Sequence, residues 1–329
     1  MLPAENGGSD ATQDALNSAP LTGTFCREFL LTNQNPDGGW GYHPTSPSGV
    51  EATAWALLGL MSGGRVWLPS QPCDRACDWL LHAQLGDGAW PAFPGQPQGC
   101  WTTSLASWAL QAHGGSVQAV ERGLHWVLNA WPAEGTLWWR LRQAVGRSAV
   151  VRQDSSLRGW SWTPGTASWV EPTAYALLLL RNLPAEMLTS QMKKRRRLAE
   201  RMLYNRMCPS GGWNSGNPLV YGVAGVPRVG PTSWALLALI DHAERAENRI
   251  SLDWLEQTFG EIRGAASLAL AHRCLTAYGR QAPPLAPMLG SLYARNRFFE
   301  NTLAVAWAAL ALSVNENRSS ETSSGALTS

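Results

Sequence analysis

Two kinds of helical segment alternate along this chain, and the alternation limits the folds that it can adopt. One kind is rich in Ala and Leu and apolar almost all round, which is typical of a helix buried on every side. The other kind has charges on one side only, which is typical of a surface helix. The apolar segments begin at Glu51, Trp101, Glu171, Gly230, Gly264 and Glu300. The amphipathic segments span residues 26–34, 73–84, 117–130, 190–207, 251–260 and 286–298.

Six amphipathic segments paired with six apolar ones predict six helical hairpins and an all-α fold. Because an apolar helix needs cover on both sides, we expect an inner barrel of six helices wrapped by an outer barrel of six, which is an (α/α)6 toroid. An open solenoid of stacked hairpins is the alternative. No alternating strand pattern is present in the sequence.

The hairpins predict one domain over residues 21–314. The flanking segments, residues 1–20 and 315–329, are polar, and we expect both to be disordered. One connection, residues 131–169, is longer than the others and predicts an insertion into the domain. It is interpreted either as a lid over a cavity or as a surface insertion with its own short helix.

Composition narrows the class of protein. The net charge of +2 over 329 residues gives no reason to expect nucleic acid as a partner. The six cysteines contain no CxxC pair, which favours reduced thiols in a cytoplasmic protein. Residues 1–20 lack the cationic start and apolar core of a signal peptide, and no apolar run reaches about 18 residues, so we expect neither a signal peptide nor a membrane span. There are 18 Trp residues against 6 Phe and 6 Tyr, which suits a lined cavity.

A short motif is repeated between the two kinds of segment. Residues 34–40 read QNPDGGW and residues 84–90 read QLGDGAW, and looser copies end at Trp160 and Trp213. Residues 75–90 resemble the complete Gln-Trp repeat of squalene and oxidosqualene cyclases, and residues 27–40 carry most of it. The resemblance implies the toroid of the terpenoid cyclase and prenyltransferase superfamily, with an isoprenoid or another apolar small molecule as ligand. It also implies structural roles for the repeat residues Gln34, Trp40, Gln84 and Trp90.

The resemblance directs attention to acids at the start of inner helices. Class II terpene cyclases protonate an alkene with an Asp of a DxDD motif, and this chain has no DxDD motif. At that repeat position it has Glu-x-Thr three times, starting at Glu51, Glu171 and Glu300. The resemblance thus implies Glu171 as the catalytic proton donor and Glu51 as a second candidate. A carboxylate that stabilises a helix N-terminus is the structural alternative.

Aromatic residues accompany these acids at helical spacing. Trp55 follows Glu51 by four residues and Tyr175 follows Glu171 by four, so each acid shares a helix face with a ring. Trp234 repeats the aromatic position, and Trp169 lies beside Glu171 in the sequence. We expect these four aromatic residues to line the substrate site. Burial would keep a carboxyl protonated, and aromatic faces stabilise a cation.

Other chemistries find little support. The zinc ligands of protein prenyltransferases are not reproduced, since Gln98 stands where an Asp ligand is needed, and no metal or cofactor is expected. A basic run occupies an outer segment and is interpreted as a solvated face or as a peripheral contact with anionic lipid. This run consists of Lys193, Lys194, Arg195, Arg196 and Arg197.

Two functions stay open. The first is acid-initiated cyclisation of an isoprenoid in a central apolar cavity. Cyclases of the resembled type place the active site between two helical domains, so this function would require a second cyclase domain or self-association. The second is a non-catalytic toroid that binds a lipid or a protein, and the missing DxDD motif favours it.

Overall fold

The computed structural model describes residues 21–63, 70–136, 154 and 156–325, and these residues contain twelve α-helices in outer and inner positions that alternate along the chain. The outer helices are α1 (Gly23–Thr32), α3 (Ser70–Ala83), α5 (Val117–Asn129), α7 (Ser190–Asn205), α9 (Ala246–Thr258) and α11 (Leu285–Asn296). The inner helices are α2 (Val50–Met61), α4 (Thr102–His113), α6 (Val170–Arg181), α8 (Val229–Ala238), α10 (Ala265–Ala277) and α12 (Thr302–Gly325). The predicted alternation is confirmed in all six hairpins.

The inner helices close into a ring. Helix α2 packs on α4, α4 on α6, α6 on α8, α8 on α10 and α10 on α12. Helix α12 then returns to α2 and also packs against the outer helix α1, so the last hairpin meets the first. The predicted (α/α)6 toroid is confirmed, and the open solenoid is excluded.

Burial explains why the two sets of helices differ in composition. In α6, Val170 and all residues from Pro172 to Leu180 are buried, because outer helices cover one side and the ring interior the other. In α5, Val120, Leu124 and Val127 are buried, whereas charged residues occupy the opposite, exposed face. Replacing one of the fully buried leucines by Ala would cost about 2–5 kcal/mol of folding free energy.

In the Gln-Trp repeats, Gln34 and Gln84 join a hairpin to the next one, and the Trp side chains hold the link to the outer helix of their own hairpin. Gln34 Nε2 donates to the carbonyl of Pro72 in the first turn of α3 at 2.8 Å, and Gln84 Nε2 donates to Ala119 O in α5 at 2.9 Å. The indole N–H of Trp90 donates to Leu80 O at 2.7 Å. The same indole bond is made by Trp40 to Leu30, by Trp160 to Val127 and by Trp213 to Leu203. These bonds support the structural role that the resemblance implied.

Glycine is required at one position of the complete repeats. Gly38 and Gly88 have φ values of +95° and +89°. A Cβ atom on Gly88 would lie 2.7 Å from the carbonyl oxygen of Arg122, and one on Gly38 would lie 2.8 Å from that of Arg75. Only glycine avoids both the backbone strain and the clash, so the turn and the next outer helix can approach closely.

Two short strands were not predicted. β1 (Leu219–Val220) and β2 (Val223–Ala224) form an antiparallel hairpin of two residues per strand between α7 and α8, which leaves the all-α fold class unchanged. Its two turn residues, Tyr221 and Gly222, both have positive φ, as a two-residue hairpin turn of type I′ requires.

The predicted limits of the domain, residues 21 and 314, and the predicted insertion at residues 131–169 are not tested by the structure. Residues 1–20 and 326–329 lie outside the described residues, as do residues 137–153 of the expected insertion. Helix α12 continues past the predicted domain end at residue 314, as far as Gly325.

Candidate functional site

Every link from an outer to an inner helix lies at the same end of the ring, where the inner helices begin. We call this end the mouth and the opposite end, where the inner helices finish, the base. Glu51 lies in the first turn of α2 and Glu171 in the first turn of α6, so both candidate acids belong to the mouth.

The carboxyl group of Glu51 is half-buried and hydrogen-bonded. Tyr42 Oη donates to Glu51 Oε2. Burial raises the pKa of Glu51, and the hydrogen bond from Tyr42 opposes this only in part. Burial and the nearby charge of Glu51 also raise the pKa of Tyr42, which therefore stays a donor. The pair holds a carboxyl group that takes up a proton more readily than a free glutamate.

Glu171 has a similar environment with one difference. Ser215 Oγ donates to Glu171 Oε1 at 2.7 Å, whereas Oε2 is buried and has no hydrogen-bond partner within the described residues. Burial raises the pKa of Glu171, although the bonds from Ser215 and from its own backbone N–H lower it. Desolvation thus outweighs the effect of the helix N-terminus, which favours the charged form.

The third Glu-x-Thr copy departs from the other two. Residues 297–300 form a left-handed turn before α12, with φ of +54° at Glu300, and the side chain of Glu300 is exposed. Thr302 Oγ1 donates to Gly41 O at 2.7 Å and keeps the structural half of the motif. Glu300 therefore does not share the buried setting of Glu51 and Glu171.

Three of the four predicted aromatic residues meet below the acids. The ring centroids of Trp55 and Tyr175 are 6.1 Å apart, those of Tyr175 and Trp234 5.1 Å, and those of Trp55 and Trp234 5.2 Å. All three side chains are at most 6% exposed. Trp169 is not part of this group, since it is 36% exposed beside Gly216 at the start of α6. The three buried rings, which we call the aromatic layer, fill the ring interior at this level.

Trp108 and Trp307, which were not predicted, pack edge-on against Trp55 with ring centroids 5.8 and 5.6 Å away. The signal was available in the spacing from the buried Thr of each inner helix. The layer residues Trp55, Tyr175 and Trp234 follow that Thr by two positions. Trp108 and Trp307 follow it by five, which places them one turn deeper on the same helix face.

A cavity of about 200 Å³ lies at the base, beyond the aromatic layer. Its walls include Trp55, Trp108, Trp234, Trp307, Leu178, Leu237, Arg181 and Arg273. Leu178 follows Glu171 by seven residues, which corresponds to about 10 Å along a helix axis. Neither Glu51 nor Glu171 lines the cavity. The fold thus brings the acids to the aromatic rings but separates them from this cavity.

The basic run of α7 is divided between interior and surface. Arg195 is 2% exposed, and its guanidinium lies 3.9 Å from the ring centroid of Trp131 and 4.2 Å from that of Trp160. Arg196 bonds Glu200 at 2.7 Å and also pairs with Asp241. The expectation of five surface cations is therefore wrong for Arg195, which packs as part of the core. Lys193, Lys194 and Arg197 are exposed.

The described residues contain no group of three or more His, Cys, Asp and Glu side chains arranged to hold a metal ion. Cys100, which follows Gln98 by two residues, is buried with its Sγ 3.2 Å from Thr102 Oγ1. Among the helices described, none combines the length and apolar character of a membrane span.

Known proteins that resemble this chain in sequence include cyclases, as the Gln-Trp repeat implied. The family model of the squalene-hopene cyclase C-terminal domain matches residues 24–100. Drimenyl diphosphate synthase of Streptomyces showdoensis is 40% identical over 67 residues, which are 20% of this chain and 12% of the relative. Protostadienol synthase A of Arthroderma gypseum is 31% identical over 125 residues, 33% of this chain and 16% of the relative. The aligned part is thus under a fifth of the length of either relative.

Structure comparison covers nearly the whole chain. The type II terpene cyclase MstE of Scytonema, in complex with geranylgeranyl dihydroxybenzoate, superposes with a TM-score of 0.55 at 12% identity, over 92% of this chain and 97% of that one. A glycosidase superposes with a TM-score of 0.53 at 11% identity, over 94% and 99%. At these identities the likeness shows the fold, which hosts more than one chemistry. The chain is therefore an (α/α)6 toroid whose residues 24–100, which contain both complete Gln-Trp repeats, match the squalene-hopene cyclase family.

Proposed function

We propose that this chain is a terpene-cyclase-like protein that binds an isoprenoid at the mouth and starts its cyclisation by proton transfer from Glu171. In that step the O–H bond of the Glu171 carboxyl breaks and a C–H bond forms on an alkene carbon of the ligand. The product is a carbocation and a Glu171 carboxylate. Loss of a proton from the cyclised cation would end the reaction, and a proton returned to Glu171 would restore the acid.

The observation that carries this proposal is the setting of Glu171. One carboxyl oxygen accepts from Ser215, and the other is buried without a partner within the described residues. Because burial raises the pKa, the group is better suited to stay protonated than an exposed glutamate. Glu51, held by Tyr42, is a second acid at the same end. Burial raises the pKa of Tyr175, and its proximity to Glu51 and Glu171 raises this pKa further.

The aromatic residues support the same proposal. The aromatic layer lies one turn below the acids, and the rings of Trp101 and Trp162 extend it towards the mouth, with Trp101 5.5 Å from Tyr175 and 5.0 Å from Trp162. Aromatic faces attract a cation with about 0.5–2 kcal/mol each, more when water is excluded. A positive charge formed near Glu171 would therefore meet several π-faces.

Closure of the site belongs to the proposal as well. Exposed apolar side chains on four outer-to-inner links surround the mouth, and these are Phe93, Trp169, Tyr221 and Phe299. Such a rim suits cover by a second helical domain or by a second copy of this chain, either of which would exclude water from the acids.

A non-catalytic role is the second candidate. The cavity at the base favours it, because an apolar ligand bound there would be separated from both acids by the aromatic layer. In this case the toroid would hold its ligand without converting it.

Incubation of the protein with squalene and with geranylgeranyl diphosphate, followed by mass spectrometry of the extracted products, separates the two functions. We expect a cyclised product from the wild type and at least a hundredfold less from Glu171→Gln, since general acid catalysis contributes about 10²–10⁴-fold. Glu300→Gln is the matched control, because Glu300 is an exposed copy of the same motif. Binding of either compound without any product would favour the non-catalytic role.

A further inference from the structure

The cavity at the base has walls of two kinds. Four indole rings and the side chains of Leu178, Leu237, Ala269 and Leu310 make most of it apolar. The charged and amide side chains of the wall are Arg181 and Asn182 at the end of α6 and Arg273 in the second half of α10. An apolar chamber with few polar groups is the usual form of a small-molecule site.

The two arginines differ in their partners. Arg181 Nε lies 3.1 Å from Asp241 Oδ1, so its charge is compensated. Arg273 has no hydrogen-bond or ion-pair partner within the described residues, and it is exposed to solvent. Surrounding protein lowers the pKa of Arg273 by desolvation. The guanidinium remains charged at neutral pH and offers unused N–H donors to an acceptor.

The position of Arg273 in α10 also supports a role in binding an acceptor group. Arg273 follows Leu270 by three residues, and both line the cavity, so the arginine continues the helix face that forms the wall. The planar fork of the guanidinium suits a carboxylate or a phosphate, which it can bind through two parallel hydrogen bonds.

Two further donors lie in the wall without acceptors. The indole N–H groups of Trp55 and Trp307 are buried and have no hydrogen-bond partner within the described residues. Both rings line the cavity. A ligand with an acceptor group would therefore meet unused donors from Arg273, Trp55 and Trp307.

We propose that the cavity at the base is a binding site for a small amphipathic anion, with its apolar body against the four indole rings and its carboxylate or phosphate group on Arg273. This site lies across the aromatic layer from Glu51 and Glu171, so it is separate from the site proposed at the mouth. A ligand of modest size is expected, since an apolar cavity of about 150 Å³ holds one benzene molecule.

Isothermal titration calorimetry with eight-carbon probes tests the site. Octanoate and octyl phosphate carry the two anionic head groups, octanol is neutral, and octylammonium is cationic. We expect both anions to bind at least tenfold more tightly than octanol and octylammonium not to bind, as charge-assisted hydrogen bonds to arginine require. The tighter of the two anions identifies the head group.

Variants distinguish this site from unspecific binding. Arg273→Gln is expected to weaken octanoate about tenfold and to leave octanol within twofold. Arg197→Gln removes the same charge from the exposed face of α7 and should change neither. Ala277→Trp places a large ring at the exposed rim of the cavity and should abolish binding of all probes without loss of folding, which thermal unfolding checks.

Equal binding of octanol and octanoate, or equal octanoate binding by the wild type and Arg273→Gln, would overturn the proposal. So would full binding by a folded Ala277→Trp protein. None of these results depends on Glu171, so this proposal and the cyclase proposal succeed or fail separately.

Discussion

The backbone N–H of Trp40 donates a 3.0 Å hydrogen bond to Thr53 Oγ1, which joins the end of a Gln-Trp turn to the next inner helix. The same bond is made by Trp90 to Thr103, by Trp160 to Thr173 and by Trp213 to Thr232. Together with the indole bond to the preceding outer helix, it fixes both helices of a hairpin to one Trp. The Thr of Glu-x-Thr is thus structural, and the Glu two residues earlier is free to serve another purpose.

Thr103 provides a test of this arrangement. Thr103→Val keeps the volume of the side chain but leaves the buried N–H of Trp90 without an acceptor, which we expect to cost about 1–3 kcal/mol of folding free energy. Thr103→Ser keeps the hydroxyl and should cost less, about 0.5–1.5 kcal/mol, for one lost methyl group. Urea unfolding measures both, and a Val variant as stable as the Ser variant would contradict the assignment.

The raised pKa of Glu171 predicts a dependence of stability on pH. Between the pKa of the unfolded chain, about 4.5, and the higher pKa of the folded protein, the native state binds more protons than the unfolded state. The free energy of unfolding therefore falls as pH rises through this window, and Glu51 contributes in the same direction. Glu171→Gln should reduce the slope and stabilise the protein at pH 7 relative to pH 4.

Urea unfolding of both proteins at pH 4, 5, 6 and 7 measures this slope. Glu300→Gln serves as the control, because its carboxylate is exposed and surface substitutions usually change stability by less than 0.5 kcal/mol. A Glu171→Gln protein whose stability follows the wild type in parallel at every pH would show that Glu171 does not titrate differently on folding.

The alternation of apolar and amphipathic segments was sufficient to predict the toroid, because a helix that is buried on two sides must be apolar nearly all round, and this is visible in the sequence of each inner helix. The same periodicity predicted that Glu51 and Glu171 lie above Trp55 and Tyr175, since four residues make one turn. It was not sufficient for contacts between helices. Whether Trp55 contacts Trp307 or the two enclose a void depends on the radius of the inner helix ring and on the volumes of all the side chains that point into it. The sequence of a single helix does not give either quantity.

Arg195 shows a second limit of sequence reasoning. In the sequence it is the third of five consecutive cations, and a charge run usually lies at the surface. The periodicity of the helix directs this one side chain to the interior. There its guanidinium packs against two tryptophan rings and donates hydrogen bonds to the carbonyl oxygens of Ala130 and Gly159. The partners lie in the long connection before α6, so only the folded chain reveals them.

Replacement of Arg195 by Lys tests this packing. Lysine keeps the charge but cannot stack a planar group between two rings while it donates to two carbonyls, so we expect a loss of about 1–3 kcal/mol. Arg197→Lys, at an exposed position of the same helix, should change stability by less than 0.5 kcal/mol. Thermal and urea unfolding compare the two, and equal effects would argue against a packed role for Arg195.

Membrane contact, if it occurs through α7, depends on the exposed members of the run. Each cation near an anionic surface contributes about 1 kcal/mol, so replacing Lys193, Lys194 and Arg197 by Gln should weaken binding to phosphatidylserine vesicles roughly a hundredfold. Vesicle sedimentation at low salt measures this affinity, with phosphatidylcholine vesicles as the control. Unchanged sedimentation of the triple variant would exclude this surface as the contact.

Trp234 belongs to the aromatic layer and also lines the cavity at the base, so its removal should enlarge that cavity. The side chain is 6% exposed and contacts Trp55, Tyr175 and Trp307, so Trp234→Ala is expected to cost about 3–5 kcal/mol. The space left behind adds to a cavity of about 200 Å³ and is mostly apolar, so benzene should raise the melting temperature of the variant more than that of the wild type. Trp169→Ala, at the 36% exposed rim position, should cost less and gain nothing from benzene. An equal response of all three proteins would mean that the interior collapses around the missing ring.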